Sequence, residues 1–308
     1  MYYSGIGSEA GVSIDQQVRA IVELGWNHMD LRNIDNVNIT DISDGQFDEI
    51  VEMLSSAGIS VSCFASNVAG WGKDALNPRD FELSLEELDR AIPRMHRLGT
   101  KMIRGMSFKT PKEDRYITKE LENQLLGRMR TILRRCEEAG ILFVLENCVC
   151  YFTQSYEHMD RMRENIESPA FKVVFDPCNP LMTDNRMGRK PYKKQIPWEA
   201  YSHLKDLIIY VHIKDGRFVR DTGGIFPEVD YKYPGEGDAD IKRIVSDLFI
   251  SGYDGGFCIE PHISNPYCDK TEDPENEELL RFQLDGFVDY GRRTQELIES
   301  IRNSVLQA

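Results

Sequence analysis

The stretch AGILFVLEN, residues 139–147, joins the end of a helix to a buried strand and then to a charged residue. An Ala-Gly pair is typical of a helix C-terminus, because glycine adopts the left-handed conformation at little steric cost. The apolar run that follows favours a buried strand. The run nevertheless ends at Glu146, and burying an unpaired carboxylate is costly. We therefore expect a cation, or another compensating group, beside Glu146.

The same order of helix, glycine and strand recurs along the chain. The five stretches are LGWNHMDL (24–31), AGISVSCFA (57–65), LGTKMIRGM (98–106), AGILFVLEN (139–147) and SGYDGGFCIE (251–260). With the remaining apolar runs they predict strands at 2–7, 27–32, 60–66, 101–107, 142–147, 171–177, 208–214 and 256–260. The 3.6-residue periodicity predicts helices at 13–24, 43–57, 80–98, 118–139, 155–166, 196–207, 238–251 and 277–303.

Eight alternating units in 308 residues predict a parallel sheet closed into a (β/α)8 TIM barrel, a single domain over 1–308. An open, doubly wound sheet is the alternative, but the first loop, GIGSEAGVS, has no G-x-G-x-x-G fingerprint. Ser13, Ser43, Thr118 and Asp238 are predicted helix N-caps. Pro93 is predicted to kink or split the third helix. Long strand-to-helix loops, among them 108–117 and 215–237, are expected to build an active site at one end of the barrel.

The composition limits the partners. Lys and Arg number 37 against 51 Asp and Glu, a net charge of −14, which argues against a nucleic-acid partner. No basic region followed by an apolar core opens the chain, and no apolar run approaches about 18 residues, so neither a signal peptide nor a membrane span is expected. The seven cysteines lack C-x-x-C spacing. A reducing, cytoplasmic setting is the simplest interpretation.

Four potential metal ligands end successive predicted strands: Glu146, Asp176, His212 and Glu260. Neighbouring strands lie about 4.8 Å apart, so four such side chains can surround one ion. Three carboxylates and one imidazole suit Mn²⁺ or Mg²⁺, with Co²⁺ tolerated, and Mn²⁺ is the expected ion. Each carboxylate taken alone is also typical of a surface cap or salt bridge, and His212 alone of a satisfied core histidine.

The motifs FVLEN, VVFDPCN, YVHIKDG, YPGEGDADI and CIEPH resemble those of the sugar isomerase/epimerase family with a xylose-isomerase-like TIM barrel, over nearly the whole chain. CFASNVAGWG, RAIPRMHRLGTKMIR, LENC and PGEGD are most similar to the branch containing the catalytic subunits of bacterial C-glycoside deglycosidases. The resemblance implies a divalent cation on the four residues above and proton transfer by Glu146 and Glu260. It also implies a small accessory subunit; a homo-oligomer is open.

The chain departs from this family at three positions. Ketose epimerases carry a substrate-contacting His where this chain has Asn179, and a second Glu where it has Phe152. Some deglycosidase-like sequences carry His where it has Leu145. We expect Asn179 and Phe152 to contact the substrate, with recognition different from that of the epimerases.

Further candidates come with structural alternatives. Lys214 and His262 are candidate catalytic residues, although a strand-end ion pair or a role behind the ligands would also explain them. Trp71 and Arg104 are candidate substrate contacts; loop packing and a barrel ion pair are the alternatives. The GEG sequence at 235–237 suits an anion site or, more simply, a turn.

Together with the resemblance, these features predict an enzyme that removes a proton beside the carbonyl of a keto-sugar or 3-oxo-glycoside. The outcome is either epimerisation or isomerisation, or C-glycoside cleavage by β-elimination. Two other functions are possible for a barrel of this kind. An abasic-site endonuclease-like phosphodiesterase would need several metals and more than the six histidines present. A non-catalytic sugar-binding subunit would show no proton exchange.

Overall fold

The structure is a computed structural model that describes residues 1–109, 117–223, 226–263 and 277–307. The strands are β1 (Tyr2–Gly5), β2 (His28–Leu31), β3 (Asn33–Ile34), β4 (Val37–Asn38), β5 (Ser60–Ala65), β6 (Met102–Gly105), β7 (Leu142–Glu146), β8 (Phe171–Phe175), β9 (Ile208–Ile213), β10 (Asp215–Arg220), β11 (Glu228–Lys232) and β12 (Gly256–Ile259). The helices are α1 (Ile14–Glu23), α2 (Asp44–Ala57), α3 (Pro78–Leu98), α4 (Lys119–Glu138), α5 (Tyr156–Asn165), α6 (Asn179–Met182), α7 (Pro197–Leu204), α8 (Ile241–Ile250) and α9 (Glu277–Gln307). Short 3₁₀ turns cover Gly7–Glu9, Phe152–Gln154 and Lys205–Leu207.

Eight of the strands form one parallel sheet, in the order β1-β12-β9-β8-β7-β6-β5-β2. A parallel bridge between Ile6 and Asp30 joins the two outer strands, β1 and β2, and brings the sheet round into a barrel. The predicted (β/α)8 TIM barrel is therefore confirmed. All eight strand C-termini converge on one end of this barrel, which is called the mouth below.

The core has two layers. The larger one lies between the strands and the surrounding helices. The smaller one fills the inside of the barrel and consists of Ile6, Cys63, Val144, Val174, Tyr210 and Cys258. Because side chains alternate along a strand, residues next to these inner ones face the helices, and inward positions near the strand ends face the mouth.

The predicted turns and caps are mostly confirmed. The second residue of each of the five repeated stretches is a glycine that follows a helix, and all five have positive φ, between 66° and 81°. Ser13 and Ser43 form capping boxes, and Thr118 accepts a bond from the first turn of α4. The prediction for Asp238 is wrong, since α8 begins at Ile241 and the residue before it makes no side-chain cap.

Two other local predictions differ from the structure. Pro93 does not split its helix, because α3 is continuous over 21 residues; its buried face, which includes Leu88, Ala91 and Met95, packs in the core on both sides of the proline. The alternative, a kink at Pro93, stays a prediction. The predicted loop 215–237 is instead largely an antiparallel hairpin of β10 and β11. The predicted loop 108–117 lies mostly outside the described residues. Among the described helices, none combines the length and apolar character needed to cross a membrane.

Candidate metal centre

The four predicted metal ligands meet at the barrel mouth. Glu146 ends β7, Asp176 follows β8, His212 lies on β9 and Glu260 follows β12. One donor atom from each of these side chains lies within 4.8 Å of the donors of the other three. All four residues are buried, with at most 4% of their surface exposed. We call these four residues the ligand cluster.

Two donor atoms of the ligand cluster lack a hydrogen bond from the described residues. His212 Nδ1 lies 3.5 Å from Glu260 Oε2 and 3.9 Å from Glu146 Oε1 but bonds to neither. Asp176 Oδ2 has an ammonium nearby, without hydrogen-bond geometry. Buried polar atoms are normally satisfied, so a histidine nitrogen without a hydrogen bond among converging carboxylates indicates a place for a cation. The oxygen-rich donor set fits Mn²⁺ or Mg²⁺.

Two asparagines fix the carboxylates. The Asn147 side chain clamps β7 to the end of β8: its Nδ2 donates to the carbonyl of Asp176 at 2.9 Å, and its Oδ1 accepts from the Asp176 amide at 2.8 Å. Asn179 Nδ2 donates to Glu146 Oε1 at 3.0 Å, and the Asn179 amide donates to Asp176 Oδ1 at 3.2 Å. Asn179 therefore holds two of the ligands. Its predicted contact with the substrate stays a prediction.

Arg104, on β6, reaches the ligand cluster from the side. Its Nη1 donates to Glu146 Oε2 at 2.9 Å, and both side chains are buried. This is the barrel ion pair that the sequence left as an alternative. Arg104 Nε has no hydrogen-bond partner among the described residues, so the predicted substrate contact stays open as a further role.

Lys214 lies between two of the ligands. Its Nζ is 2.6 Å from Asp176 Oδ2 and 3.1 Å from Glu260 Oε2. The next residue, Asp215, accepts bonds of 2.8–3.1 Å from the amides of Gly216, Gly235, Gly237 and Ala239. The GEG turn therefore binds a carboxylate of its own chain, which anchors the backbone beneath Lys214.

A second acid–histidine group lies on the other side of Glu260. Glu9 follows β1, Arg32 follows β2 and His262 follows β12. His262 Nδ1 is 3.2 Å from Glu9 Oε2, and His262 Nε2 is 3.7 Å from Glu260 Oε1. Arg32 pairs closely with Glu9 and lies 3.5 Å from Glu260 Oε1. We call Glu9, Arg32 and His262 the paired cluster.

A buried group of hydrogen-bonded polar side chains lies next to His212 inside the barrel. Asp30 is 1% exposed, and its Oδ1 accepts bonds from Ser4 Oγ at 3.0 Å and Tyr210 OH at 2.6 Å. Donor atoms of Asp30 and His212 lie within 4.8 Å of each other. A carboxylate behind a ligating histidine is a common means of orienting the ring.

The crowded charges shift several pKa values. Burial alone would raise the pKa of Glu260, but Lys214, His212 and His262 outweigh it and hold the pKa well below its usual range. Burial opposes the charges of Asp176 and Glu260 at Lys214, and these charges prevail and raise its pKa. For Glu9, burial is outweighed by His262 and Arg32, which lower the pKa to about 2.

The predicted aromatic contacts lie in different surroundings. Trp71 is 47% exposed, and its ring lies 5.5 Å from Tyr151 and 5.9 Å from Phe226. Phe152 is fully buried, with its ring 4.6 Å from that of His158. Trp71 therefore offers surface to a ligand, whereas Phe152 packs inside; the substrate roles of both stay predictions.

Three residues of the site were not predicted from the sequence: Glu9, Arg32 and Asn147. A signal for each was present. Arg32 directly follows the second strand, and Glu9 lies in the first strand-to-helix loop. Asn147 directly follows Glu146. All three lie at or just beyond the C-terminal end of a barrel strand, which is the position that also predicted the ligand cluster.

Comparisons with known proteins agree with this architecture. A family profile described as "Xylose isomerase-like TIM barrel" matches residues 18–285. A search of curated proteins gives no match. Similar solved structures include a D-tagatose 3-epimerase-like protein (TM-score 0.71, 16% identity, 99% of this chain and 100% of that one). They also include a D-psicose 3-epimerase with D-tagatose from Clostridium cellulolyticum H10 (0.63, 15%, 95% and 98%). A third is a xylose isomerase-like TIM barrel protein from Mycobacterium smegmatis in complex with magnesium (0.67, 15%, 98% and 97%). At these identities the structures establish a shared fold.

Proposed function

Because the chain belongs to the family of xylose isomerase-like TIM barrels, we propose that it is a divalent-metal-dependent enzyme that removes a proton beside the carbonyl of a sugar. The supporting observation is the ligand cluster itself, in which two glutamates and Asp176 share one site with a His212 Nδ1 that makes no hydrogen bond to the described residues. The epimerases among the similar folds favour a free ketose as substrate.

The two glutamates reach the site from strands that are not neighbours in the sheet. Strands β8 and β9 lie between β7, which carries Glu146, and β12, which precedes Glu260. A substrate carbon held between them faces one carboxylate on each side. One glutamate accepts the proton, and the C–H electron pair moves towards the carbonyl to give an enolate. The other glutamate, which must be protonated when the step begins, then donates its proton to the opposite face and inverts the centre.

A divalent cation on the ligand cluster would stabilise the negative charge that develops on the carbonyl oxygen as the proton leaves. The surrounding residues hold the two glutamate side chains in place. Arg104 and Asn179 bond to Glu146, and Lys214 and the paired cluster surround Glu260. Mn²⁺ is the proposed ion.

A second outcome of the same first step is β-elimination. In a 3-oxo-glycoside, loss of the C2 proton gives an enolate whose electron pair can expel the group on C1, which is protonated as it departs. Exposed aromatic surface at Trp71 and Phe226, whose rings are 5.9 Å apart, favours a planar aglycone and supports this candidate. The small accessory subunit and the homo-oligomer stay predictions that accompany it.

The test uses heavy water. Protein loaded with Mn²⁺ is incubated in D₂O with a panel of free ketohexoses and 3-oxo-glycosides, and the products are analysed by NMR and mass spectrometry. Deuterium beside the carbonyl, together with a new epimer, is the expected result. Release of free aglycone would instead support the elimination.

The variants Glu146→Gln and Glu260→Gln should both abolish the exchange, as should a chelator. The matched control is Glu122→Gln, because Glu122 is also a buried glutamate, paired at 3.2 Å to Lys119 and at 3.1 Å to Arg161, but belongs to no candidate metal cluster of the described residues. Metal binding without exchange or cleavage across the whole panel would overturn the proposal in favour of a non-catalytic sugar-binding subunit.

A further inference from the structure

The ligand cluster already contains a cation that belongs to the chain. Lys214 is 3% exposed, and its ammonium contacts carboxylate oxygens of two different ligands, Asp176 and Glu260. The oxygen of Asp176 that faces this ammonium is the one without a hydrogen bond. The lysine therefore lies against an atom that a metal ion would need.

The balance of charge explains this position. Each carboxylate of the ligand cluster repels the others, and burial strengthens the repulsion. Glu146 forms an ion pair with Arg104. Glu260 lies 3.5 Å from Arg32, which also pairs with Glu9. Among the described residues, Lys214 is the one cation within 4 Å of Asp176. Without a bound metal, Lys214 supplies the positive charge that keeps the buried carboxylates together.

From these contacts we infer that the Lys214 ammonium occupies the place of the divalent ion in the metal-free protein and must leave it when the metal binds. This inference rests on the proposed function, since it assumes that the ligand cluster binds a metal. A divalent ion and an ammonium on the same two carboxylates repel each other, so binding one displaces the other.

The chain is built to permit the displacement. The lysine side chain has four rotatable carbons and an ammonium that needs no fixed orientation, unlike a planar guanidinium. Its backbone cannot follow, because the next residue, Asp215, is held by four backbone amides. Only the side chain moves, and the released ammonium becomes available to an oxygen of the substrate. Metal loading thereby prepares the predicted catalytic role of Lys214.

The first experiment measures Mn²⁺ affinity by calorimetry for the wild type, Lys214→Gln, Lys214→Arg and Lys73→Gln. Removing the competing charge should make Lys214→Gln bind Mn²⁺ at least about tenfold more tightly than the wild type. Lys214→Arg keeps the charge and should bind no more tightly than the wild type. Lys73 is the matched control, because it is also a buried lysine, 2.8 Å from Glu87, outside the ligand cluster; its variant should match the wild type.

The second experiment uses the wild type alone, so it does not depend on how a variant folds. Lysines are labelled by reductive methylation with and without Mn²⁺, and the modification of Lys214 is followed by mass spectrometry. Displacement should raise the labelling rate of Lys214 several-fold on metal binding and leave that of Lys73 unchanged.

The outcomes separate the two proposals. Equal or weaker Mn²⁺ binding by a folded Lys214→Gln, or labelling of Lys214 that is unchanged or slower with Mn²⁺, would overturn the inference and leave the proposed function standing. Absence of Mn²⁺ binding in the wild type and in Lys214→Gln alike would overturn the metal premise of the proposed function, and this inference with it.

Discussion

The ligand cluster and the paired cluster lie side by side in the barrel mouth and are built from the same residue types. Each combines carboxylates with a histidine, and each brings donor atoms within 4.8 Å once the shared Glu260 is included. They differ in what completes them. In the paired cluster Arg32 contacts both Glu9 and Glu260. In the ligand cluster His212 Nδ1 and Asp176 Oδ2 stay without a hydrogen bond.

This difference shows why acid–histidine composition does not by itself identify a metal site. A guanidinium fills the space between carboxylates with fixed donors and a permanent charge. Where Arg32 does this, little is left for an ion to satisfy. In the ligand cluster the cation beside Asp176 is the flexible Lys214, 2.6 Å from Asp176 Oδ2, and His212 Nδ1 has no hydrogen bond to the described residues. If this distinction is correct, mutations in the two clusters should affect different properties of the protein.

The largest effect is expected on the stability of the metal-free protein when Arg32 is removed. Arg32→Gln leaves the carboxylate of Glu9 buried with a weaker partner, and breaking a buried pair costs about 3–5 kcal/mol in the free energy of unfolding. Urea denaturation measures this loss. The double variant Glu9→Gln/Arg32→Gln removes both charges and should recover most of it.

The control for this prediction is Arg79→Gln, because Arg79 and Glu86 form an exposed pair at 2.9 Å. Exposed pairs are screened by solvent and contribute little to the free energy of unfolding. If Arg32→Gln cost no more than this control, Arg32 would not be what closes the paired cluster.

The next largest effect concerns metal affinity. His212→Ala removes a ligand and should weaken Mn²⁺ binding by at least about 100-fold, since even residues behind the ligands are worth 10- to 100-fold. His262→Ala removes the histidine of the paired cluster and should change the affinity by less than about fivefold. Calorimetric titration of both variants tests the contrast. Comparable losses in the two would mean that the ion sits between the clusters.

The same contrast separates the features that could be predicted from the sequence from those that could not. The barrel and the ligand cluster were predictable because strand ends of a parallel barrel share one rim, and each ligand follows an apolar run. The ion pairs between these carboxylates and the surrounding cations were not predictable, since Arg32 and Glu260 lie 228 positions apart in the sequence. That pairing depends on the closure of the barrel between β1 and β2, which no local pattern encodes.

The hairpin of β10 and β11 shows a second limit. Its strands, Asp215–Arg220 and Glu228–Lys232, are largely polar and exposed, so hydrophobic alternation gives a weak signal. The role of the GEG turn was likewise left open between an anion site and a turn. Both descriptions are correct, because the turn binds an anion of its own chain: the amides of Gly235 and Gly237 donate to the Asp215 carboxylate.

A moderate effect is expected at Asn147, which holds the ligand cluster without belonging to it. Asn147→Ala removes both bonds between β7 and the backbone of Asp176, so the carboxylate loses its fixed position. Mn²⁺ affinity should fall about tenfold. Asn185→Ala is the control, because Asn185 is also a buried asparagine but bonds to Glu157 instead; it should bind Mn²⁺ as the wild type does.

The smallest effect should show that the two clusters communicate through Glu260. In Glu9→Gln, Arg32 loses its close partner and can turn its charge towards Glu260 Oε1, now 3.5 Å away. A stronger pair there competes with the metal for the same carboxylate, and a charge interaction of this size should weaken Mn²⁺ binding about threefold. Adding Arg32→Gln to Glu9→Gln removes the competitor and should restore the affinity.

Such a restoration, measured by titration in the same buffer, cannot come from a loss of folding, because the double variant carries more substitutions than the single variant and binds Mn²⁺ more tightly. If the single and double variants instead bound equally, the clusters would be neighbours that share a residue without sharing its charge.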